Sequence, residues 1–312
     1  MATKALFLLA ATSSAAAATN VATTNYQRNV NFINTHNNMP NSACKLAVNK
    51  FSHLSHEEFK AQYQLDLSHV ELKALKNKIH SYDPKILIDT DSLDWAAAGA
   101  TSSVEDQGVC AACWAFSATG GLEGAHFIKT GELTKLSVQN LLNCDDNTED
   151  NGCHGTYYGM DSAFNWITSN GGLCSNENYP FVGENSTDCD TTCSIVPDTS
   201  IVSTIDVEDN EDALLQALLQ QPISVVLDAS CPGFMSYESG VWTEDCGTKL
   251  DHAVLLVGFG HDEDTGLDFW KIKNSMGTDW GEEGYMRLQR GLSGQDGHGI
   301  CDISAMACYP QL

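Results

Sequence analysis

The sequence predicts an α+β protein with two packed subdomains, one helical and one built mainly from strands. Two observations lead to this prediction. Up to about residue 170, apolar residues recur every three or four positions, the spacing of one face of a helix. From residue 223 onward, short apolar runs rich in β-branched residues take over. Helices followed by strands are typical of an α+β domain, and 312 residues can bury a large core.

Three helices are expected between residues 113 and 171. From Trp114, apolar residues continue at helical spacing to Gly131, a typical helix stop, so Cys113 falls at the helix N-terminus. A short helix is expected over 137–142. A longer one begins at Met160 and stops at two consecutive glycines, 171 and 172.

Capping residues indicate two further helices. Ser55 and Glu58 form a capping box before the chain reaches Phe59. Asn210 is expected to cap a helix over 211–220, which ends before a proline.

Four runs have the composition of strands: 223–227, 252–259, 269–273 and 285–288.

The motifs are organised around Cys113. It follows the loop 107–112 at the start of a helix, where unpaired N–H groups and the helix dipole favour an anion and lower a thiol's pKa. His252 comes 139 residues later and Asn274 comes 161 residues later. A thiol, an imidazole and an amide at these separations favour nucleophilic catalysis.

Two other chemistries use the spacing of Cys110 and Cys113. A redox dithiol would not need a distant histidine, and half of a zinc site would need a second ligand pair at short spacing. The sequence contains no second Cys-x-x-Cys and no His-x-x-x-His. We therefore favour a nucleophilic cysteine and expect neither a metal nor a cofactor.

With Gln107, Cys113, His252 and Asn274 in register, the chain resembles a papain-type cysteine protease of the cathepsin L-like kind, written as a precursor. The run 281–285, Gly-Glu-Glu-Gly-Tyr, is a further marker of that family. The resemblance covers roughly residues 26–312 and depends on highly specific motifs.

The resemblance implies a papain-like fold with a helical left domain, a β-barrel-like right domain and the active site in the groove between them. A small helical propeptide domain would precede these. The predicted boundaries are a signal peptide over 1–18, an inhibitory propeptide, shorter than usual, over 19–90, and a papain-like peptidase domain over 91–312.

The resemblance also implies the role of each catalytic residue. Cys113 would be the nucleophile and His252 its imidazolium partner, which later protonates the leaving amine. Asn274 would orient the imidazole by accepting a hydrogen bond from its other nitrogen. The Gln107 amide and the Cys113 backbone N–H would bind the oxyanion.

Substrate-binding positions follow by the same matching. Gly155 and Thr156 would pair with the substrate backbone, and Trp280 is retained beside the site. The pocket for the second residue before the cut would be apolar, which predicts a preference for Leu, Val or Phe there. Its lining would be Tyr157, Tyr158, Val226, Ala253 and Met306.

Two departures from the family pattern bear on activity. Ala111 replaces a glycine, and an alanine forced to positive φ would cost about 1 kcal/mol. Met276 replaces a tryptophan that covers the Asn–His hydrogen bond, so a weaker bond is expected. The alternative function is therefore a catalytically weakened homologue that acts as a binding protein.

Twelve cysteines in a chain with a leader indicate an oxidising compartment. The resemblance implies three disulfides: Cys110–Cys153, Cys144–Cys189 and Cys246–Cys301. Four more cysteines could form two bridges in three ways, of which we favour Cys174–Cys193 and Cys231–Cys308. Cys113 and Cys44 would then remain unpaired.

The distribution of charge and the apolar leader indicate the partners and the compartment that we expect for the protein. Residues 1–89 carry a net charge of +3, whereas residues 90–312 carry −28, which argues against nucleic acid and anionic membranes as partners. The short apolar leader is typical of a signal peptide. We expect a secretory-pathway protein, lysosomal, vacuolar or extracellular, that is a monomer and binds protein or peptide substrates and its own propeptide. Asn185 begins a glycosylation sequon.

Overall fold

The computed structural model describes residues 2–65, 77–145, 152–156, 159–184, 188–244, 246–292 and 297–312, with side chains described from residue 20 onward. Residues 1–90 are called the N-terminal segment below. No helix in these ranges is long and apolar enough to cross a membrane.

The helices from residue 56 onward form where the sequence predicts them. The glycine after the central helix, Gly131, takes a left-handed conformation with φ of 80°, and its N–H donates to the Phe127 carbonyl. Asn210 accepts from the Ala213 N–H at 2.8 Å and so caps its helix. The described α-helices are α1 (Ala2–Asn37), α2 (His56–Tyr63), α3 (Cys113–Thr130), α4 (Val138–Cys144), α5 (Met160–Asn170) and α6 (Glu211–Leu218).

Ten strands form one sheet across the described ranges, in the order β1-β6-β9-β8-β7-β5-β10-β4-β2, with β3 paired to β7. The fold is papain-like, with the helices α3 to α5 on one side of a groove and most of the sheet on the other. The strands are β1 (Cys44–Leu46), β2 (Lys78–His80), β3 (Leu93–Asp94), β4 (Ser203–Val207), β5 (Ile223–Leu227), β6 (Tyr237–Trp242), β7 (His252–Asp262), β8 (Leu267–Lys273), β9 (Tyr285–Gln289) and β10 (Met306–Gln311).

Small residues bring α3 close to the sheet. A Cβ added at Gly124 would lie 2.6 Å from the Pro222 ring, and one added at Gly120 would lie 2.9 Å from Leu255. The rigid ring leaves room only for glycine at position 124, whereas the flexible end of Leu255 could move, so the close approach of helix and sheet depends mainly on Gly124.

The N-terminal segment extends the sheet at both ends. Strand β1 pairs antiparallel with β6, and β2 pairs parallel with β4. Helix α2 begins with the predicted capping box, because Ser55 accepts from the Glu58 N–H and Glu58 accepts from the Ser55 N–H. Phe59, a residue of α2, is fully buried. The segment is thus an integral layer of the fold.

Element boundaries differ slightly from the predictions. Helix α6 ends at Leu218 and not at residue 220, because the next residues turn into β5. Strand β7 continues three residues beyond the predicted end, to Asp262, because it pairs with β8 up to their connecting turn. Polar residues such as His261 hid this extension in the sequence.

Candidate active site

The start of α3 positions Cys113 inside the protein. The residue before it, Ala112, has φ of −93° and ψ of 9°, and the thiol-bearing residue itself is fully buried. A disulfide from Cys110 to Cys153 and a hydrogen bond from the Ala111 N–H to the Cys153 carbonyl hold the loop. Ala111 is not among the residues with positive φ, so the expected strain is absent there.

Register in the sheet brings His252 and Asn274 together. His252 is the first residue of β7, and Asn274 directly follows the last residue of β8. These strands are antiparallel neighbours, with Leu255 opposite Lys273, so the two ends coincide. His252 Nε2 and Asn274 Oδ1 lie 2.8 Å apart. Because an amide oxygen only accepts, Nε2 carries the proton.

The other imidazole nitrogen is left available. His252 Nδ1 is buried and has no hydrogen-bond partner among the described residues. Phe234 packs edge-on against the imidazole, with ring centroids 5.7 Å apart. Trp280 donates from Nε1 to the Phe234 carbonyl at 3.0 Å and is fully buried, so it lies behind the imidazole and not at the groove surface. Met276 is also fully buried.

Gln107 is held by a residue that sequence reasoning missed. Ser275 Oγ donates to Gln107 Oε1 at 2.6 Å, and the Gln107 backbone N–H donates to the Ser275 carbonyl at 2.8 Å. These contacts leave Gln107 Nε2 turned toward the groove, where it donates to the Cys110 carbonyl at 3.0 Å. The only signal in the sequence was the position of Ser275 next to Asn274.

Burial keeps the thiol and the imidazole neutral in this closed state. It raises the pKa of the Cys113 thiol to about 12, although N–H groups at the start of α3 act in the opposite direction. It lowers the pKa of His252 to about 4, against the effect of the Asn274 hydrogen bond. The expected lowering of the cysteine pKa is therefore wrong for this state, because desolvation outweighs the helix N-terminus.

Three predicted pocket residues are neighbours in the sheet. Val226 on β5 pairs with Ala253 on β7 and with Met306 on β10. The Met306 sulfur lies near Gly159, at 2.9 Å from an added Cβ. Thr156 is buried. Tyr157, Tyr158 and Asn185 lie outside the described residues, so their predicted roles stay predictions.

The N-terminal segment occupies the groove. Gln107 Nε2 donates to the Tyr63 carbonyl at 3.3 Å, and the Leu65 N–H donates to the Asp251 carbonyl at 2.7 Å. Leu65 is 2% exposed and packs on Gly155, where an added Cβ would lie 2.9 Å from Leu65 Cδ2. A peptide of this chain thus contacts the residues expected to bind a substrate.

The disulfides agree with the prediction except at one bridge. Cys231 and Cys308 are both free and buried. Cys308 lies within β10, opposite Asp206, whereas the Cys231 sulfur lies 2.6 Å from that of Cys246. The predicted Cys231–Cys308 bridge is wrong because Cys231 lies in the connection after β5, whereas Cys308 lies in β10, and the two side chains are buried in different apolar clusters. The four observed bridges are Cys110–Cys153, Cys144–Cys189, Cys174–Cys193 and Cys246–Cys301. Among the described residues, no group of three or more acidic, His or Cys side chains could hold a metal ion.

Comparisons with known proteins identify both parts of the chain. Residues 90–311 match the model of the papain family cysteine proteases, and residues 22–59 match that of the cathepsin propeptide inhibitor domain. A thiol protease of Hemerocallis, SEN102, is 41% identical over 290 residues, covering 91% of this chain and 78% of its own. Vignain of Ricinus communis is 40% identical over 286 residues, and the match covers 90% of this chain and 77% of vignain. The proform of the ragweed pollen cysteine protease Amb a 11 superposes with a TM-score of 0.83 at 34% identity, covering 94% and 88%.

Proposed function

Because the chain belongs to the papain family of cysteine proteases and carries a cathepsin-type propeptide, we propose that it is a zymogen whose Cys113, His252 and Asn274 form the catalytic site of an endopeptidase. The observation that carries the proposal is the 2.8 Å bond between His252 Nε2 and Asn274 Oδ1 beside a cysteine at a helix N-terminus. That bond leaves Nδ1 for the thiol.

The proposed reaction needs the groove to open first. Once solvent reaches the site, the thiol can transfer its proton to His252, and the thiolate attacks the carbonyl carbon of the substrate. The C–N bond then breaks, and the imidazolium gives its proton to the leaving amine. Water, deprotonated by His252, hydrolyses the thioester and restores Cys113. Asn274 keeps the imidazole in one tautomer throughout.

Gln107 is the proposed side-chain donor to the oxyanion. Its amide oxygen is fixed by Ser275, so its Nε2 points in a constant direction. Removing one such donor costs about 3 kcal/mol of transition-state stabilisation in comparable sites. The second donor would be the Cys113 backbone N–H, at the free end of α3. We propose Ser275 as the residue that positions this donor.

The proposed specificity is for an apolar residue two positions before the cut. The neighbouring side chains Val226, Ala253 and Met306 offer no charge to a substrate. The propeptide supports this assignment, because its Leu65 is buried in the same apolar cluster as Val226 and Ala253. We propose that Leu, Val or Phe is preferred there over Arg.

Location and assembly belong to the same proposal. Four disulfides among the described cysteines are typical of proteins that fold in the secretory pathway. A vacuolar, lysosomal or extracellular monomer that acts on protein or peptide substrates fits this, and the predicted signal peptide would direct it there. We propose no cofactor, because the reaction uses only side chains of this chain.

A pH series on the purified precursor tests the proposal. Cleavage of a fluorogenic peptide with Leu two residues before the cut should appear on acidification, together with loss of the propeptide. Alkylation of Cys113 should abolish cleavage, and Cys113→Ala should be inactive. Ser117→Ala, four residues along the same helix, controls for changes in α3.

Inactivity at every pH after the propeptide is removed would contradict the proposal. It would favour the alternative of a binding protein, with Met276 as the suspected cause. Ala111 no longer supports that alternative, since its backbone is unstrained.

A further inference from the structure

The propeptide contacts parts of the groove beyond the proposed catalytic residues. The stretch from Lys60 to Leu65 touches the site at three places. Tyr63 places its carbonyl against Gln107, and Leu65 packs on Gly155. Lys60 Nζ lies 2.9 Å from the carboxylate of Asp251, the residue before His252. This contact lies on the opposite side of Tyr63 from Leu65 along the segment.

These contacts define which side of the cut Lys60 represents. Under the proposed function, on which this inference rests, Gln107 marks the carbonyl of the bond that is cut, and Gly155 marks the residues before it. Leu65 lies on the Gly155 side. The contact of Lys60 with Asp251 therefore falls on the side of the leaving amine.

Asp251 contacts the propeptide at two points, through its backbone and through its side chain. Its backbone carbonyl accepts from the Leu65 N–H at 2.7 Å, whereas its side chain is directed to Lys60. The second carboxylate oxygen accepts from the Ala229 N–H at 2.8 Å, which fixes the orientation of the group. Gln64 Nε2 donates to the Ala229 carbonyl at 2.7 Å, so this loop also borders the groove.

The carboxylate is poorly solvated and depends on its cation. The Asp251 side chain is 3% exposed, whereas that of Lys60 is 40% exposed, so the lysine covers the acid from the solvent side. Burial raises the pKa of Asp251 to about 6, and the nearby Asp228 acts in the same direction. When the propeptide leaves, the carboxylate loses this cation and keeps only its bond to the Ala229 N–H. The side of the carboxylate that Lys60 covered then faces the open groove, where its negative charge can attract a cationic side chain of a substrate.

We propose that Asp251 is a specificity-determining residue that selects a lysine or arginine side chain on the leaving-group side of the cut. The flexible stem of such a side chain can place its charge where the Lys60 ammonium lies in the zymogen. The negative charge of the mature region, −28 over residues 90–312, adds a general attraction for cationic substrates. Asp251 makes this preference local to one position.

Internally quenched peptides with Leu two residues before the cut test the inference on the activated enzyme. The residue after the cut is Lys, Gln or Glu in otherwise identical peptides. Near neutral pH, we expect kcat/KM to be about three- to tenfold higher for Lys than for Gln, and lowest for Glu. Raising the salt from about 0.05 M to about 0.5 M should reduce the ratio.

Variants separate a local contact from general charge. Asp251→Asn should bring the Lys to Gln ratio close to one. Asp279→Asn is the matched control, because Asp279 also binds a propeptide lysine, Lys50 at 3.2 Å, but is 61% exposed. This control should keep the wild-type ratio. If Asp251→Asn proves inactive, the wild-type ratio and its salt dependence carry the test.

The outcomes are distinct for the two proposals. Equal cleavage of the Lys and Gln peptides by the wild-type enzyme would overturn this inference and leave the proposed function intact. A ratio that falls equally in Asp251→Asn and Asp279→Asn would also overturn it, because the preference would then come from general charge. Failure to cleave any peptide, including the Gln peptide, would overturn the proposed function itself.

Discussion

The two sides of the groove hold their candidate catalytic residues by different means. On the helical side, Cys113 begins a helix whose neighbouring segments are joined by the bridges Cys110–Cys153, Cys144–Cys189 and Cys174–Cys193. On the strand side, His252 and Asn274 are positioned by the register of β7 and β8. Covalent links compensate for long irregular connections on the helical side, whereas the ends of β7 and β8 are fixed by the hydrogen bonds between these two strands. The bridge Cys246–Cys301 of the strand side lies outside them.

The difference predicts that the helical side is more sensitive to loss of its covalent links. Replacing Cys110 and Cys153 together by serine opens a link between residues 43 positions apart. We expect the free energy of unfolding to fall by about 4 kcal/mol, because the unfolded chain regains the entropy of that loop. Denaturant unfolding of the zymogen under non-reducing conditions measures this loss.

The matched control is the double replacement of Cys174 and Cys193, whose link spans 19 residues. It should cost less, about 3 kcal/mol. An equal or smaller loss for Cys110 and Cys153 would contradict the comparison.

The strand side should instead respond to acid through His252. Its pKa is about 4 in the closed zymogen and 6.5 for an ordinary histidine, so the open form binds more protons between these values. The closed form is therefore fully favoured above about pH 6.5 and loses about 3 kcal/mol as the pH falls to about 4. The hydrogen-exchange protection factors of α2, which are corrected for the intrinsic pH dependence of exchange, should fall over this interval in a Cys113→Ala zymogen.

Two histidine variants sharpen that prediction. His252→Gln cannot be protonated, so the opening of α2 should no longer increase as the pH falls through this interval. Asp251, whose pKa burial raises to about 6, acts in the opposite direction. His261→Gln removes an exposed histidine that pairs with Asp268 and should keep the wild-type profile. A profile unchanged by His252→Gln would assign acid opening to other groups.

The Asn274 contact should matter for catalysis more than for stability. In Asn274→Ala, the buried Nε2–H of His252 loses its acceptor, and the imidazole loses its orientation. We expect kcat/KM to fall by about 100-fold. Asn165→Ala, at an exposed position of α5, serves as the control and should keep full activity. Steady-state kinetics on the activated enzymes distinguish these results.

The smallest effect is expected where the two sides meet. In Gly124→Ala, the new methyl group would lie 2.6 Å from the rigid Pro222 ring, although alanine also favours the helix. We expect a net loss of about 1 kcal/mol in the free energy of unfolding. Adding Pro222→Ala removes the ring atoms and should recover most of this loss. No recovery would show that the contact is not the cause.

Local patterns were sufficient to predict most of the fold. The caps at Ser55, Asn210 and Gly131 and the apolar spacing between them predicted the helices, because such signals act within a few residues. Gln107 and Asn274 were recognised by a family resemblance. The bridge from Cys231 to Cys308 was predicted wrongly, because sequence spacing does not reveal which cysteines are neighbours in space.

By itself, the sequence indicated the candidate catalytic residues and determined which segments are helices or strands. Only the tertiary structure decided their state. Cys113 and His252 are both fully buried by the packed chain, and this burial raises the pKa of the thiol and lowers that of the imidazole. The N-terminal segment brings Lys60 to Asp251, which is 191 residues away along the chain. Desolvation and long-range contact depend on how the whole chain packs, and no local pattern encodes them.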